Sequence, residues 1–331
     1  MAGPIISVVG GLNMDLFMET DRMPGIGESV DSRSLSMFPG GKGANTAIAA
    51  HRASHSKPRG DTKGGSDEGS IRVFMNGAVG SDSFGGLLKA KLKGEGIDIS
   101  GVSTIDNERS GTCVVIVETE LGDSRNIGYE GANLKWALPD PNSVGCLAGG
   151  ARPDLVVAHL GVRREEVGRV LALARQNGVD TLLNPAPATS LDRSTYQNVT
   201  HLVLNETEAA LLSGRDRDRL HSPTGWQEVA QDFIRSGVTN VVLTLGARGA
   251  YYSTIGGERG LVKAEESISV VDTTGAGDTF VGNYAAECTR QRQLGECDIS
   301  KAIARACKAA ARTIGRLGAQ EAIPWADEID R

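Results

Sequence analysis

The sequence predicts an α/β fold: a doubly wound, mostly parallel sheet flanked by helices, with a small β-sheet lid. Three observations point there. From Asp154 onward, short apolar runs alternate with amphipathic stretches, the pattern of successive βα units. Polar residues collect just past the apolar runs, where an open α/β sheet has its ligand crevice. Two other stretches, near residues 16–38 and 112–129, alternate apolar and polar positions instead, as strands with one solvated face do.

Residues 5–9 (IISVV) form a buried strand that ends at Gly10-Gly11. Residues 16–38 make a strand excursion around Met23-Pro24-Gly25-Ile26-Gly27-Glu28 and suit a flap. Residues 39–45 (PGGKGAN) lead into a helix at 46–51. Residues 54–70 contain no apolar side chain and are rich in Gly, Ser and mixed charge, a composition expected of a mobile surface insertion. The core pattern resumes with a strand at 71–75, a helix at 82–92 and a strand at 112–118. A turn at Gly122-Asp123 then leads to a return strand at 126–129.

Thereafter strands are expected at 155–158, 180–183, 201–204 and 240–244, and helices at 164–176 and 226–236. Asn205 opens a further helix, and Leu245 to Gly249 form a loop after the last of these strands. We read residues 1–331 as a single domain whose lid comes from about 11–38 and 100–130.

A formal charge of -6 and the absence of a long basic stripe argue against nucleic acid or a membrane surface as partner. Five cysteines, at 113, 146, 288, 297 and 307, show neither CxxC spacing nor an even count, so neither a disulfide framework nor a zinc site is indicated. The five histidines are scattered and read as structural or surface residues. No leader pattern or membrane-length apolar run is present. The expected setting is the cytoplasm and the expected partner a small molecule.

The chemistry concentrates in residues 270–285 (VVDTTGAGDTFVGNYA). The β-branched run predicts a strand into Asp272, then a Gly-Ala-Gly turn, then a helix with Asp278 in its first turn. Gly275 and Gly277 allow close backbone approach, and the helix N-terminus favours a phosphate-like anion. A carboxylate beside such an anion is unfavourable unless it works there, and the obvious work is taking a proton from an attacking hydroxyl. A bare GxGD is equally what a helix cap looks like. Asn13 and Asp15, past the first strand, suit the hydroxyls of a polyol, or simply close an Asx turn. Lys42 and Asn45 add a positive charge and a bifunctional amide. The segment is not a P-loop, since Ser36 stands at the first Walker glycine and Gly43 follows the lysine.

With GGKGAN at 40–45 and DTTGAGDTF at 272–280, the chain resembles the PfkB, or ribokinase, family of carbohydrate kinases. PGIGE at 24–28, GSDSFG at 80–85, NPAPA at 184–188, NETEA at 205–209, TLGARG at 244–249 and GAQEAIPWADEID at 318–330 extend the resemblance over nearly the whole chain outside 54–70. It implies that Asp278 is the base and that Gly275, Ala276 and Gly277 form an anion hole. Asn13, Asp15, Gly41, Lys42, Gly43, Ala44 and Asn45 match sugar-contacting positions. ATP would be held at Asn205, Thr244, Leu245, Gly246, Ala247, Arg248, Gly249, Gly277 and Cys307, with Glu208 acting on Mg2+ through water. A K+ site is implied at Asp272, Thr274, Thr313, Arg316, Gly318 and Ala322, largely through backbone carbonyls. Homodimerisation through the lid sheet is implied as well.

Bacterial ribokinases carry a sugar-contacting Glu shortly after the strand that here spans 155–159; this chain has Leu160-Gly161-Val162-Arg163 instead. D-ribose, phosphorylated at its 5-hydroxyl, is therefore the favoured substrate. Another pentose, a deoxysugar or a nucleoside stands next, with Phe17, Phe38 and Tyr129 available to line a flap. A non-catalytic sugar or nucleotide sensor is the reading from a different class.

Overall fold

A computed structural model describes residues 3–58, 70–119, 123–266 and 268–330. In chain order β1 (Ile5–Val9), β2 (Asn13–Thr20) and β3 (Ser34–Gly40) lead to α1 (Lys42–Arg52). Then come β4 (Arg72–Gly80), α2 (Ser83–Gly94), β5 (Asp98–Ile105), β6 (Gly111–Glu118) and β7 (Asp123–Tyr129). The βα series follows: β8 (Leu155–His159), α3 (Arg164–Gln176), β9 (Asp180–Asn184), α4 (Arg193–Tyr196), β10 (His201–Asn205), α5 (Glu206–Ser213), α6 (Pro223–Arg235) and β11 (Asn240–Thr244). The chain closes with β12 (Ala250–Thr254), β13 (Arg259–Val262), α7 (Ala276–Gln293), α8 (Ile299–Ile314), α9 (Ala319–Ala322) and α10 (Ala326–Ile329).

The main sheet has nine strands in the order β13-β12-β11-β10-β9-β8-β1-β4-β5, parallel throughout except for β12 and β13 at one edge. Its central strands are apolar on both faces because both are covered. In β8, Leu155 and Val157 join a core layer with Ala47 and Ile48 of α1 and Tyr284 of α7. Val156 and Ala158, one residue out of phase, join the opposite layer with Val167 and Val170 of α3 and Trp226 of α6. That period of two is the alternation of a strand sandwiched between helix layers. No helix among the described residues is long and apolar enough to cross a membrane.

The lid is a separate four-stranded sheet, β3-β2-β6-β7. Its two faces differ. Residues directly opposite in a sheet point the same way, so the pairings Asn13–Gly40–Gly111 and Asp15–Phe38–Cys113–Gly128 define one face. The pairings Leu16–Met37–Val114–Ile127 and Met14–Pro39–Thr112–Tyr129 define the other.

Several expectations need correction. Residues 100–105 do not belong to the lid: they lie in β5, paired with β4 at the edge of the main sheet. β5 and β13 are edge strands with polar residues on their solvated sides, which blurs their apolar pattern; in β12 the polar residues Ser253 and Thr254 are themselves buried and break the apolar run. The helix expected at 46–51 begins at Lys42 and runs to Arg52, so Lys42 and Gly43 are themselves helical and Gly41 is the cap. Val270 and Val271 form no strand; both are exposed, and the N–H groups of Val271 and Asp272 bond instead to the carbonyl of Ile314 at the end of α8. Residues 59–69 of the insertion, and Gly122 of the expected lid turn, lie outside the described residues.

Candidate active site

α1 and α7 bring their N-termini together past the ends of the parallel strands. Gly41 caps α1 with φ 90°, and Gly275 caps α7 with φ 77° in the left-handed region, a conformation that favours glycine. Gly43 serves a different need: a Cβ there would fall 2.7 Å from the carbonyl carbon of Gly10, so only glycine lets α1 close onto the end of β1. Neither helix end has a side-chain cap. Ala44 N and Ala276 N donate to Gly11 O and Thr273 O, while the N–H groups of Gly43 and Gly277 beside them are left to meet an anion.

Asp278 is in the first turn of α7 and only 6% exposed. It is not the N-cap, which removes the capping explanation for it. Its Oδ2 accepts from Asn45 Nδ2 at 2.8 Å, and Asn45 Oδ1 accepts in turn from Gln320 Nε2 at 3.0 Å. Burial pushes the Asp278 carboxyl above its usual range, against the charge of Lys42 and the Asn45 bond. A carboxylate so placed is a better proton acceptor than one in water.

Asp15 shares the inward face of the lid with Asn13. Its carboxyl is raised to about 7, by burial first and the charge of Asp278 second, with Lys42 pulling it down. No donor among the described residues bonds to it, so it is free to accept from a ligand. Asn13 is held by Asn133, whose Nδ2 donates to Asn13 Oδ1 at 2.8 Å while its Oδ1 accepts from Leu12 N at 2.9 Å. Asn45 is buried while Lys42 is exposed to the crevice. Gly43 and Ala44 are buried in the first turns of α1 and offer backbone only.

Asn205 and Glu208 open α5 with a reciprocal capping box. Glu208 N donates to Asn205 Oδ1 at 2.8 Å, and Asn205 N donates to Glu208 Oε2 at 2.9 Å. Burial, partly offset by the Asn205 backbone bond and Lys42, leaves the Glu208 carboxyl above its usual range. The Asn205 side chain also lies close enough to hydrogen-bond the carboxylate, a smaller lowering effect than its backbone N–H. Glu208 feels both Lys42 and Asp278, which places it with them around one crevice. Among the described residues no three His, Cys, Asp or Glu side chains cluster as a metal cage. A single carboxylate fits Mg2+, which keeps most of its waters and takes few protein ligands.

Thr244 lies level with Asn205 on the neighbouring strand and donates to Leu204 O at 3.3 Å. In the short turn after it, the Leu245 side chain is buried in the core and Arg248 is tied to Glu206 and stacked over Trp226. Leu245, Gly246, Ala247, Arg248 and Gly249 therefore present mainly backbone. Cys307 is a buried thiol on α8, raised to about 11 by burial.

Asp272 ties two segments together: Oδ1 accepts from Thr274 N at 2.9 Å and Oδ2 from Gly318 N at 3.0 Å. Thr313 is buried, with its hydroxyl 3.0 Å from that of Thr279; Arg316 pairs with Glu328; Ala322 carries only a buried methyl.

Reasoning from sequence assigned no role to Gln320 or Asn133, the amides that orient Asn45 and Asn13. Gln320 falls within the 318–330 segment of the resemblance but its partner lies far along the chain, and Asn133 is a lone amide that no local pattern marks. Of the three aromatics expected at the flap, Phe17 and Phe38 face inward in edge-to-face contact at 5.6 Å, whereas Tyr129 points outward and is exposed.

A buried carboxylate at the N-terminus of one helix, bonded to an amide at the start of another and within electrostatic reach of Asp15 on the lid, suits a phosphotransferase acting on an alcohol. Residues 5–326 match the pfkB family carbohydrate kinase pattern, and the chain belongs to that family. A ribokinase of Schizosaccharomyces pombe is 35% identical over 98% of this chain and 96% of its own. A deoxyribokinase of Salmonella typhi is 28% identical over 98% and 97%. A solved ribokinase of Arabidopsis thaliana, complexed with ribose and ATP, superposes with a TM-score of 0.84 at 24% identity, covering 99% of this chain and 98% of that one.

Proposed function

We propose that this kinase transfers the γ-phosphoryl group of ATP to the 5-hydroxyl of D-ribose. The observation that carries the reading is the Asn45–Asp278 hydrogen bond at 2.8 Å, which fixes a buried base at the N-terminus of α7, within the electrostatic reach of Asp15 on the lid. Asn13 and Asp15 hold the sugar hydroxyls and Lys42 offsets the charge of the incoming phosphates. The sugar oxygen attacks phosphorus as the bond to ADP breaks, and its proton passes to Asp278. The N–H groups at the Gly275–Gly277 end of α7, that of Gly277 foremost, stabilise the charge gathering on the transferred group, the largest contribution expected of such a site. Glu208 would hold Mg2+ through water, and the ion would supply positive charge toward the phosphates; the segment around Asp272 would hold K+, adding positive charge near the same helix end.

Ribose is favoured by the 35% identity to the S. pombe ribokinase. The likeness to a deoxyribokinase makes 2-deoxyribose the second reading. A nucleoside is less favoured, since only Phe17 and Phe38 line the inner lid face as aromatics. The outer face leaves Leu35, Met37, Ile127 and Tyr129 all more than half exposed. Such a face suits pairing with a second copy, and size-exclusion chromatography with light scattering reads that directly.

ADP release is the test, measured with ATP and Mg2+ across ribose, 2-deoxyribose, arabinose, fructose, adenosine and uridine, in potassium and in sodium. Turnover of ribose that potassium raises and Asp278→Asn abolishes is the expected result. Preference for another compound moves the substrate. Binding of ATP and ribose without turnover would favour a sensor.

A further inference from the structure

We propose that Glu130 is a sugar-binding residue, its carboxylate accepting from a substrate hydroxyl beside Asn13 and Asp15; the inference rests on the sugar-kinase reading. The hairpin register carries the argument. Cys113 pairs with Gly128 and Thr112 with Tyr129, the last residue of β7, so Tyr129 points to the outer face of the lid. Glu130 follows at once, outside the strand, as the N-cap of the turn at Gly131–Lys135, which sets it at the end of β7 beside Gly128 and Cys113. The inner face is where Asn13 and Asp15 lie, Asp15 directly beside Cys113. The Cys113 thiol responds accordingly: burial raises it first, then the charges of Asp15 and Glu130. Two carboxylates, Asp15 on β2 and Glu130 just past the end of β7, thus act on one sulfur of the inner face.

Glu130 is half-buried, and burial pushes its carboxyl above the usual range. Among the described residues no N–H, hydroxyl or cation bonds to its side chain. Glu95, Glu166 and Glu287, buried elsewhere, each hold an arginine. Lys135, on the turn that follows, pairs with Glu108 instead. Withdrawing a carboxylate from water without a partner is costly, and an acceptor-only group beside a polyol pocket matches hydroxyl donors. Its backbone is fixed by the turn that fixes Asn13, since Glu130 O accepts from Asn133 N at 3.1 Å. Across the crevice the end of β8 supplies Leu160, Gly161 and Val162, none with a polar side chain. The lid therefore supplies the acid that the strand end does not.

The experiment compares Glu130→Gln and Glu130→Ala with the unmodified protein, measuring KM and kcat for the sugar it phosphorylates and KM for ATP. A rise of about tenfold or more in sugar KM for the alanine variant, less for glutamine, with ATP KM within about twofold, is expected from loss of one charged hydrogen bond. The unchanged ATP KM also shows that both variants fold. Unchanged sugar KM in both variants overturns the role of Glu130 and leaves the kinase reading standing. If the unmodified protein turns over no sugar in the panel, the kinase reading falls and this assignment falls with it.

Discussion

Asn45 Nδ2 donates to Asp278 Oδ2 at 2.8 Å, joining the first turns of two helices that lie 233 residues apart in the chain. The bond has an orientation, because only the amide nitrogen can donate. Gln320 Nε2, donating to Asn45 Oδ1 at 3.0 Å, selects that orientation. Gln320 is itself seated by Arg52, whose Nη1 donates to its carbonyl at 2.9 Å and whose Nε and Nη2 grip Glu95.

Removing Gln320 should therefore damage the chemical step while leaving every group that touches substrate in place. For Gln320→Ala we expect kcat to fall about three- to tenfold, the value of one neutral hydrogen bond, with KM for ATP unchanged. Asp278→Asn should lower kcat by about two to four orders of magnitude. Steady-state kinetics of both variants checks the pair. A Gln320→Ala enzyme with unaltered kcat would show that Asn45 needs no orienting partner.

Asp15 sets the acid limb of sugar binding. Its carboxyl titrates at about 7 in the folded chain, so below that pH it holds a proton and loses its capacity as an ionised acceptor. Ribose affinity, followed by calorimetry, should weaken as pH falls through 7. The charge of Asp278 is the second cause of the shift, so Asp278→Asn should move the limb to lower pH. Stability runs the other way. Between the ordinary value of 3.8 and about 7 the folded chain keeps a proton that the unfolded chain has lost, so stability falls as pH rises through that window. Asp15→Asn should accordingly melt higher than the unmodified protein at pH 8, with the gap closing toward pH 4.

The buried central strands were legible because burial on both faces forces continuous apolar runs; residues 240–244 were expected with the bounds the structure gives, as was the amphipathic helix at 164–176. Val270 and Val271 misled for the opposite reason, being β-branched yet exposed on an irregular segment tied to Ile314. Asp278 and Asp15 announced themselves as carboxylates next to glycines or at strand ends. Glu130 did not, because its place depends on the β6–β7 register, and register is a tertiary property. Gln320 was hidden likewise, its partner Asn45 lying on another helix.

Glu208 has two separable duties. Oε2 accepts from Asn205 N and completes the cap of α5, whereas the charge and the other oxygen face the crevice. Glutamine serves a capping box as well as glutamate does. Glu208→Gln should hold its melting temperature yet need about tenfold more Mg2+ for half-maximal rate. Glu208→Ala should lose both, including about 1 kcal/mol of stability. A magnesium titration with a melt of each variant separates the duties. Equal magnesium requirements in the glutamine variant and the unmodified protein would leave only the cap.

Gly161 is where a sugar-binding acid cannot simply be put back. A Cβ at this position would lie 2.9 Å from Gly11 N and 3.1 Å from Gly11 Cα. Both neighbours are backbone and have no side-chain rotation with which to yield. They belong to the exits of β8 and β1, adjacent strands whose separation the sheet fixes. Gly11 and Gly161 thus touch as a pair, and any side chain at 161 must push the two exits apart just where Leu12 and Asn13 begin the lid. Gly161→Ala should cost about 1 to 3 kcal/mol, the usual range for overpacking, and raise the sugar KM by displacing Asn13. Gly161→Glu should be no better, its carboxylate arriving at a strand end already spread. Thermal melts and sugar KM for both variants test this. A Gly161→Glu protein that keeps its melting temperature and binds ribose more tightly would show that the β8 exit can accept an acid, and that the Gly11–Gly161 contact is not what excludes it.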